Sequence, residues 1–307
     1  MIGLILAKKI FSMFLIIFSG FILVKGKIVK VEESKILSII TLYLIMPCSF
    51  FNALIVDYRP EVLQGLILAV VASILIHIWM ILVTLVLGKF LGFSEVEQAS
   101  IVYSNAGNLV LPIVTTILGS EWVIYSIGFI TIQNFLFWSH GKTIISGEKC
   151  IDIRKIITNI NIIVIIIGLI LFLTGLRFPA PVHDAIGSVG VMIGPIAMLV
   201  TGMLMGSVSW KKIFSYHRMW LVILFRLIIC PLGAVLFVKY SGITTLVPSG
   251  QTVLLVTLLA AMAPAASSVT QMAQVYDRNA DYASAINVIS TLLCIVTMPL
   301  LVTLYQC

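Results

Sequence analysis

Charge is what this sequence has least of. Asp, Glu, Lys and Arg make up only 10% of its 307 residues, against roughly 25% in a soluble domain. Hydrophobic residues make up 61%, and mean hydropathy is +1.17. A soluble fold of that composition would leave large apolar patches in water, so a soluble enzyme or binding module is excluded. Acidic residues are absent from the cores of the apolar runs, which argues against a carboxylate-based proton relay. Cysteine pairing is lacking too. Cys48, Cys150, Cys230, Cys294 and Cys307 contain no C-x-x-C, and three of them fall inside apolar runs, as small buried hydrophobes do. There is no N-x-S/T glycosylation site, no P-loop, no H-E-x-x-H and no G-x-S-x-G. ATP-driven transport by this chain alone, and the usual hydrolase chemistries, are therefore excluded. Nothing implies a cofactor or a resident metal.

Apolar runs are what remain. A membrane span needs about 20 such residues. Ten stretches qualify, at about 4–24, 36–56, 62–88, 98–118, 121–140, 156–176, 183–208, 217–240, 250–273 and 282–304. The first ends in "LVKGKIVK" without a small-residue cleavage site and is expected to be retained. The most polar stretch, 141–155, divides five runs from five. The expected organisation is a first five-helix repeat over 1–140, a cytoplasmic linker over 141–155 and a second five-helix repeat over 156–307.

The net charge of +7 sits in short loops, so it reports topology and not nucleic acid as a partner. Basic loops stay cytoplasmic. With the N-terminus outside, the inner loops hold thirteen cations: Lys25, Lys27, Lys30, Lys35, Lys89, Lys142, Lys149, Arg154, Lys155, Lys211, Lys212, Arg218 and Arg278. The outer ones hold five: Lys8, Lys9, Arg59, Arg177 and Lys239. The split places both termini outside a cell (plasma) membrane, in contact with lipid. Arg226 belongs to no loop.

Five spans per half invert the second half, the plan of many secondary transporters. Prolines support it. Pro47 and Pro112 are 65 residues apart in the second and fourth runs; Pro195 and Pro264 are 69 apart in the seventh and ninth. His77 precedes Pro112 by 35 residues, and Arg226 precedes Pro264 by 38. Each of these two is the strongly polar side chain deep in its run.

The fourth run contains "SNAGNLVLPIVTTILG", with Asn105, Gly107, Asn108 and Pro112. The ninth contains "APAASSVTQMAQVY", with Pro264, Ser267, Ser268, Thr270, Gln271 and Gln274. Proline lacks an N–H and clashes with the carbonyl four residues back. Each run thus combines a helix breaker with hydrogen-bonding groups. One reading is a substrate site where two broken helices cross, with Gly107 admitting another backbone. The other is a pair of kinked helices held by interhelical hydrogen bonds. On the first reading the half-helix N-termini favour an anion. Asn105, Asn108, Pro112, Pro264, Ser267, Ser268, Gln271 and Arg226 are then the candidate substrate-binding residues. Capping remains an alternative for the serines, and snorkelling or structural pairing for Arg226. His77 is the candidate for proton coupling; a neutral, hydrogen-bonded role is its alternative.

At these residues the sequence resembles the auxin efflux carrier family, in its bacterial form. The fourth run carries an Asn seven residues before a Pro and a Gly seven after it, as Asn105, Pro112 and Gly119. The ninth carries Pro264 with Tyr276 twelve residues on. "RLIICPLGA" looks like the family's eighth span and "STLLCIVTMPLL" like its last. The resemblance implies an all-α membrane protein of ten transmembrane helices in two inverted five-helix repeats. It also implies that helices 4 and 9 break at their prolines and cross. The family's plant members export auxin and its bacterial members are attributed to malate, malonate and related acids; Asn105 matches one carboxylate-holding Asn of the plant carriers. Ser and Thr stand where their second Asn would be, and their long central loop is missing. The expected function is a secondary transporter of a small organic anion by alternating access. A sodium-coupled symporter of the bile-acid type is the alternative, and a non-transporting sensor a remote one. Proton coupling, sodium coupling and homodimer formation are left open.

The charge split generates a labelling prediction. Impermeant thiol reagent applied from outside labels the native Cys307, which follows Gln306, in a chain whose other cysteines are replaced, and misses a cysteine introduced at Ser146 in a chain whose native cysteines are all replaced. The reverse pattern would overturn the orientation.

Overall fold

The structure, a computed structural model, describes residues 2–147, 158–207 and 210–307. In chain order its helices are α1 (Ile2–Lys25), α2 (Val31–Leu54), α3 (Pro60–Leu91), α4 (Glu95–Val102), α5 (Ala106–Ile117), α6 (Ser120–Ser146), α7 (Ile160–Thr174), α8 (Ala180–Gly206), α9 (Trp210–Ser215), α10 (His217–Tyr240), α11 (Gly250–Met262), α12 (Ser267–Val275) and α13 (Ala280–Gln306). Among the described residues, α2, α3, α6, α8, α10 and α13 are long and apolar enough to cross a membrane. The rest of α1 from Phe11, together with α5, α7 and α11, is apolar but shorter.

The surface of α3 shows why lipid is the solvent. Ile67, Val71, Ile74, Ile78, Leu82 and Leu85 recur at helical spacing and are all exposed, while Ala69, Ala72, Ser73, Ile76, His77 and Met80 on the other face are buried. In water such a stripe would drive aggregation; in hydrocarbon it is the natural outer face. The chain is an all-α, multi-pass integral membrane protein.

Packing follows small residues. Helix α1 lies along α8, where a Cβ on Gly20 would overlap the Leu199 carbonyl and one on Gly202 the Ile17 carbonyl. Only glycine admits so close an approach of two helix backbones. Helix α2 lies between α7 and α8, and α3 packs against both α6 and α11.

Three prolines are accommodated in one way. Wide π turns at Thr41–Ile45, Ala106–Val110 and Phe225–Ile229 end two residues before Pro47, Pro112 and Pro231. Each turn contains the residue four positions back, whose carbonyl the proline ring would strike: Tyr43, Asn108 and Leu227. The wider winding carries that carbonyl aside, so the helix continues.

This corrects one expectation. Pro112 does not break the fourth run; the break lies at Tyr103–Asn105, seven to nine residues earlier. Residues 141–146 of the expected linker continue α6, which runs to Ser146 and ends at Gly147 with φ +75°. The linker's remainder, with Lys149, Arg154 and Lys155, lies outside the described residues.

A buried carboxylate ties one end of three helices together. Glu97 lies in the first turn of α4, just before the apolar run, and is 2% exposed. It accepts hydrogen bonds from Arg218 Nε and Nη2 at 3.1 Å each, from the Tyr282 hydroxyl at 2.9 Å and from the Ser94 N–H at 2.8 Å. Burial alone would raise the Glu97 carboxyl, but the Arg218 guanidinium, the Ser94 N–H and the Tyr282 hydroxyl outweigh it and hold the carboxyl below its usual range. A depressed folded value means the contribution is present above the unfolded pKa of about 4.3 and is lost as pH falls through the folded one. The wild type is therefore expected to lose melting temperature steeply below about pH 4. Glu97→Gln should melt lower at neutral pH and show a flatter acid limb; parallel curves would remove Glu97 from this role.

Candidate functional site

Two helices stop and restart beside each other. Helix α4 ends at Val102 and α11 at Met262, and Tyr103 (φ −96°, ψ 127°) and Ala263 (φ −63°, ψ 155°) are extended. Pro264 explains the second stop, since a residue before proline is driven out of the helical region. The first has no proline beside it. Asn105 occupies the N-cap position of the helix that follows, without a side-chain cap bond, and asparagine is unfavourable in a helix interior. The two extended segments pair antiparallel, with Ser104 opposite Ala265. The Asn105 N–H donates to the Pro264 carbonyl at 2.8 Å and the Ala266 N–H to the Tyr103 carbonyl at 3.0 Å.

In this pairing the backbone groups of Ser104 and Ala265 face outward. Buried and unpaired, each would cost about 1–3 kcal/mol. Side chains of α6 and α13 take them up. Gln133 accepts from the Ser104 N–H at 2.9 Å and from its hydroxyl at 2.7 Å, and donates to its carbonyl at 2.8 Å. On α13 the Asn287 amide donates to the Ala265 carbonyl at 2.6 Å, and the Ser290 hydroxyl accepts from the Ala265 N–H at 3.1 Å. Sequence reasoning missed all three. The available signal was an amide inside an apolar run, in "TIQNFLF" and in "AINVIS".

The stopped ends of α4 and α11 leave carbonyls without helical partners. Arg226, 0% exposed on α10, collects them. Its Nε donates to Ala263 O at 2.9 Å. Its Nη2 donates to Ala261 O at 2.8 Å and Ala263 O at 2.7 Å, and its Nη1 to Ile101 O at 2.9 Å and Val102 O at 3.4 Å, with Met80 Sδ at 3.5 Å. All five N–H groups of a guanidinium are thereby engaged. Snorkelling is ruled out by the burial; structural pairing is what the geometry shows, and no donor is left to touch a substrate.

The restarting ends carry the other candidates. Asn105 is half-buried and its side chain makes no hydrogen bond, not even as a cap. Asn108, one turn on, has a buried Oδ1 without a partner, and so has the Thr270 hydroxyl on α12. Ser267 and Ser268 open α12, half-buried. Pro264 is buried within the pairing, whereas Gln271 is exposed. Pro112 lies two turns along α5, where its ring covers Gly194 of α8. Gly107 faces the Met46 side chain and not another backbone. The structure thus gathers Asn105, Asn108, Ser267 and Ser268 around the restarting helix ends, and sets Arg226 on the stopped ends.

His77 is fully buried on α3. Its Nδ1 lies 2.7 Å from the Ser73 carbonyl, its ring is 4.6 Å from that of Phe129, and its Nε2 makes no hydrogen bond although Gln133 lies beside it. A surface cleft of about 720 Å³, lined by Glu97, Arg218, Arg278 and Tyr282 among others, includes none of the crossing residues.

A family model described as membrane transport protein matches the chain over residues 5–150 and 149–302. No curated protein matches it.

The bracing of Ser104 yields a prediction. Gln133→Leu orphans its N–H and carbonyl and should lower stability by about 1–3 kcal/mol for each group. Thermal unfolding in detergent measures it, and an unchanged midpoint would show that the crossing does not depend on Gln133.

Proposed function

The chain belongs to the membrane transport protein family, and on that premise we propose that it is a secondary transporter of a small organic anion, working by alternating access at the crossing of its broken helices. Transport of a solute across the membrane is the family's business; the anion and the site are our reading. What carries it is the backbone pairing of Ser104 with Ala265, which sets the N-termini of α5 and α12 beside one another. Each helix N-terminus presents free N–H groups and about half a positive elementary charge. The stopped ends, which would repel an anion, are already neutralised by Arg226. The net field at the restarting ends therefore favours a carboxylate.

Asn105, with its amide uncommitted, is the first contact. Ser267 and Ser268 add hydroxyl donors and Asn108 a second amide. Pro112 and Pro264 shape the two segments, Gln271 is exposed on α12, and Arg226 acts at a distance. The substrate class is a small carboxylate of malate, malonate or auxin type.

The architecture we infer is ten spans in two inverted repeats: α1, α2, α3, α4–α5 and α6, then α7, α8, α10, α11–α12 and α13. The matched bracing supports it, because the last helix of each half supplies the amide that holds its own half's break, Gln133 for Ser104 and Asn287 for Ala265. With both termini outside the plasma membrane, the inner loops carry the basic residues. His77 is the proposed coupling group if protons are co-transported. In that case Nε2 takes the proton and Gln133 is the neighbour that must adjust.

The test is Asn105→Ala. Losing a hydrogen bond to a charged group is worth roughly 1.5–3 kcal/mol, so affinity for the best carboxylate in a thermal-shift screen should fall about 10- to 150-fold. Asn105→Asp should bind more weakly still, by like-charge repulsion. Wild-type affinity in monodisperse Asn105→Ala would place the carboxylate elsewhere.

A further inference from the structure

The stopped ends of α4 and α11 form a cage of backbone oxygens. Ala261 and Ala263 come from one broken helix and Ile101 and Val102 from the other, and all four carbonyls point at one position. Unwound carbonyls and half-helix C-termini are the groups that coordinate sodium in carriers of inverted-repeat design. In this chain that position is filled from within, by the guanidinium of Arg226.

Charge and donor count match. Each helix C-terminus carries about half a negative elementary charge, so two together balance one cation. Among the described residues no carboxylate pairs with Arg226, which leaves the carbonyls as its counter-charge. Five planar N–H groups reach both helix ends at once, which an ammonium with three donors cannot do in the same way. Met80 Sδ, 3.5 Å from Nη1, adds a soft, weakly polar contact to the cage.

We infer that Arg226 is a resident cation: it occupies a carbonyl cage with the chemistry of an alkali-ion site, clamps the two stopped helices together, and makes the crossing independent of sodium. It is a positioning residue. It does not touch the substrate, and it takes the place of a coupling ion instead of binding one. The cage itself is independent of the transport reading above; only the consequence for uptake rests on that reading.

The experiment compares purified wild type, Arg226→Ala and Arg226→Met by thermal unfolding, without substrate. Choline, sodium and potassium chloride are used at equal ionic strength, and methylguanidinium chloride is added at low millimolar concentration. Wild type should melt at one temperature in all of them. Arg226→Ala, with an emptied cage, should melt lower in choline and regain several degrees, saturably, with sodium or methylguanidinium. Arg226→Met fills the space without charge and should show no such rescue. A purely structural arginine predicts loss of stability with no ion-specific recovery, so an Arg226→Ala protein that melts alike in every salt overturns the proposal. Should that variant fail to purify, wild type decides. Saturable sodium stabilisation, or uptake that requires sodium, overturns it, and indifference to sodium supports it. A carboxylate screen that finds no ligand would count against the transport reading and leave these melting curves untouched.

Discussion

One cation satisfying the ends of two helices is the interaction on which this structure depends. A charge at the centre of a span costs roughly 2.5–3.5 kcal/mol. Four carbonyls left unpaired by stopped helices would cost several more. Each charge-assisted hydrogen bond returns about 1.5–3 kcal/mol, and Arg226 makes them with both broken helices. The two unfavourable features offset one another. Neither the break nor the buried arginine is tolerable alone, and together they define the position where α4 and α11 must stop.

The rest of the crossing follows from the same accounting of backbone groups. Once the helices stop there, the extended residues between their halves must find partners in an interior without water. Tyr103, Asn105, Pro264 and Ala266 pair with one another. Ser104 and Ala265 face outward and draw in Gln133 from α6 and Asn287 with Ser290 from α13. Ser104, Gln133, Arg226, Asn287 and Ser290, all buried in this apolar protein, are thus accounted for by the two breaks. Asn105 and Asn108 stand apart because their amides remain uncommitted, and for that reason they come first among the substrate contacts we propose.

Prolines behave less simply. Pro264 ends its helix, whereas Pro47, Pro112 and Pro231 each sit behind a π turn and let the helix run on. The ring imposes the same constraint every time, a missing donor and a clash four residues back. At these four prolines, whether the chain stops or widens depends on what can receive the freed groups, whereas Pro299 sits inside α13 without either. Beside Pro264 they meet Arg226, Asn105 and α13. At the other three, one wide turn absorbs the strain.

Composition alone determined that this is a multi-pass helical membrane protein, because too few charges remain to cover a surface in water. Periodicity and basic loops set the runs and their expected orientation, and the sequence marked Pro264, the buried His77 and the buried Arg226 as unusual in their runs. The residue at which the fourth run breaks was not legible, because no local breaker marks Tyr103; its extended conformation is held by residues some 160 positions away. Gln133 and Asn287 were equally hidden, since an amide's partner is chosen by proximity in space and not along the chain. Arg226 could be recognised from sequence as costly, but its role could not, because a guanidinium on a carbonyl cage and one facing an anion have the same neighbours in sequence. Local chemistry is written in the order of residues, whereas the pairing of two helix ends with one cation exists only after the halves have folded against each other.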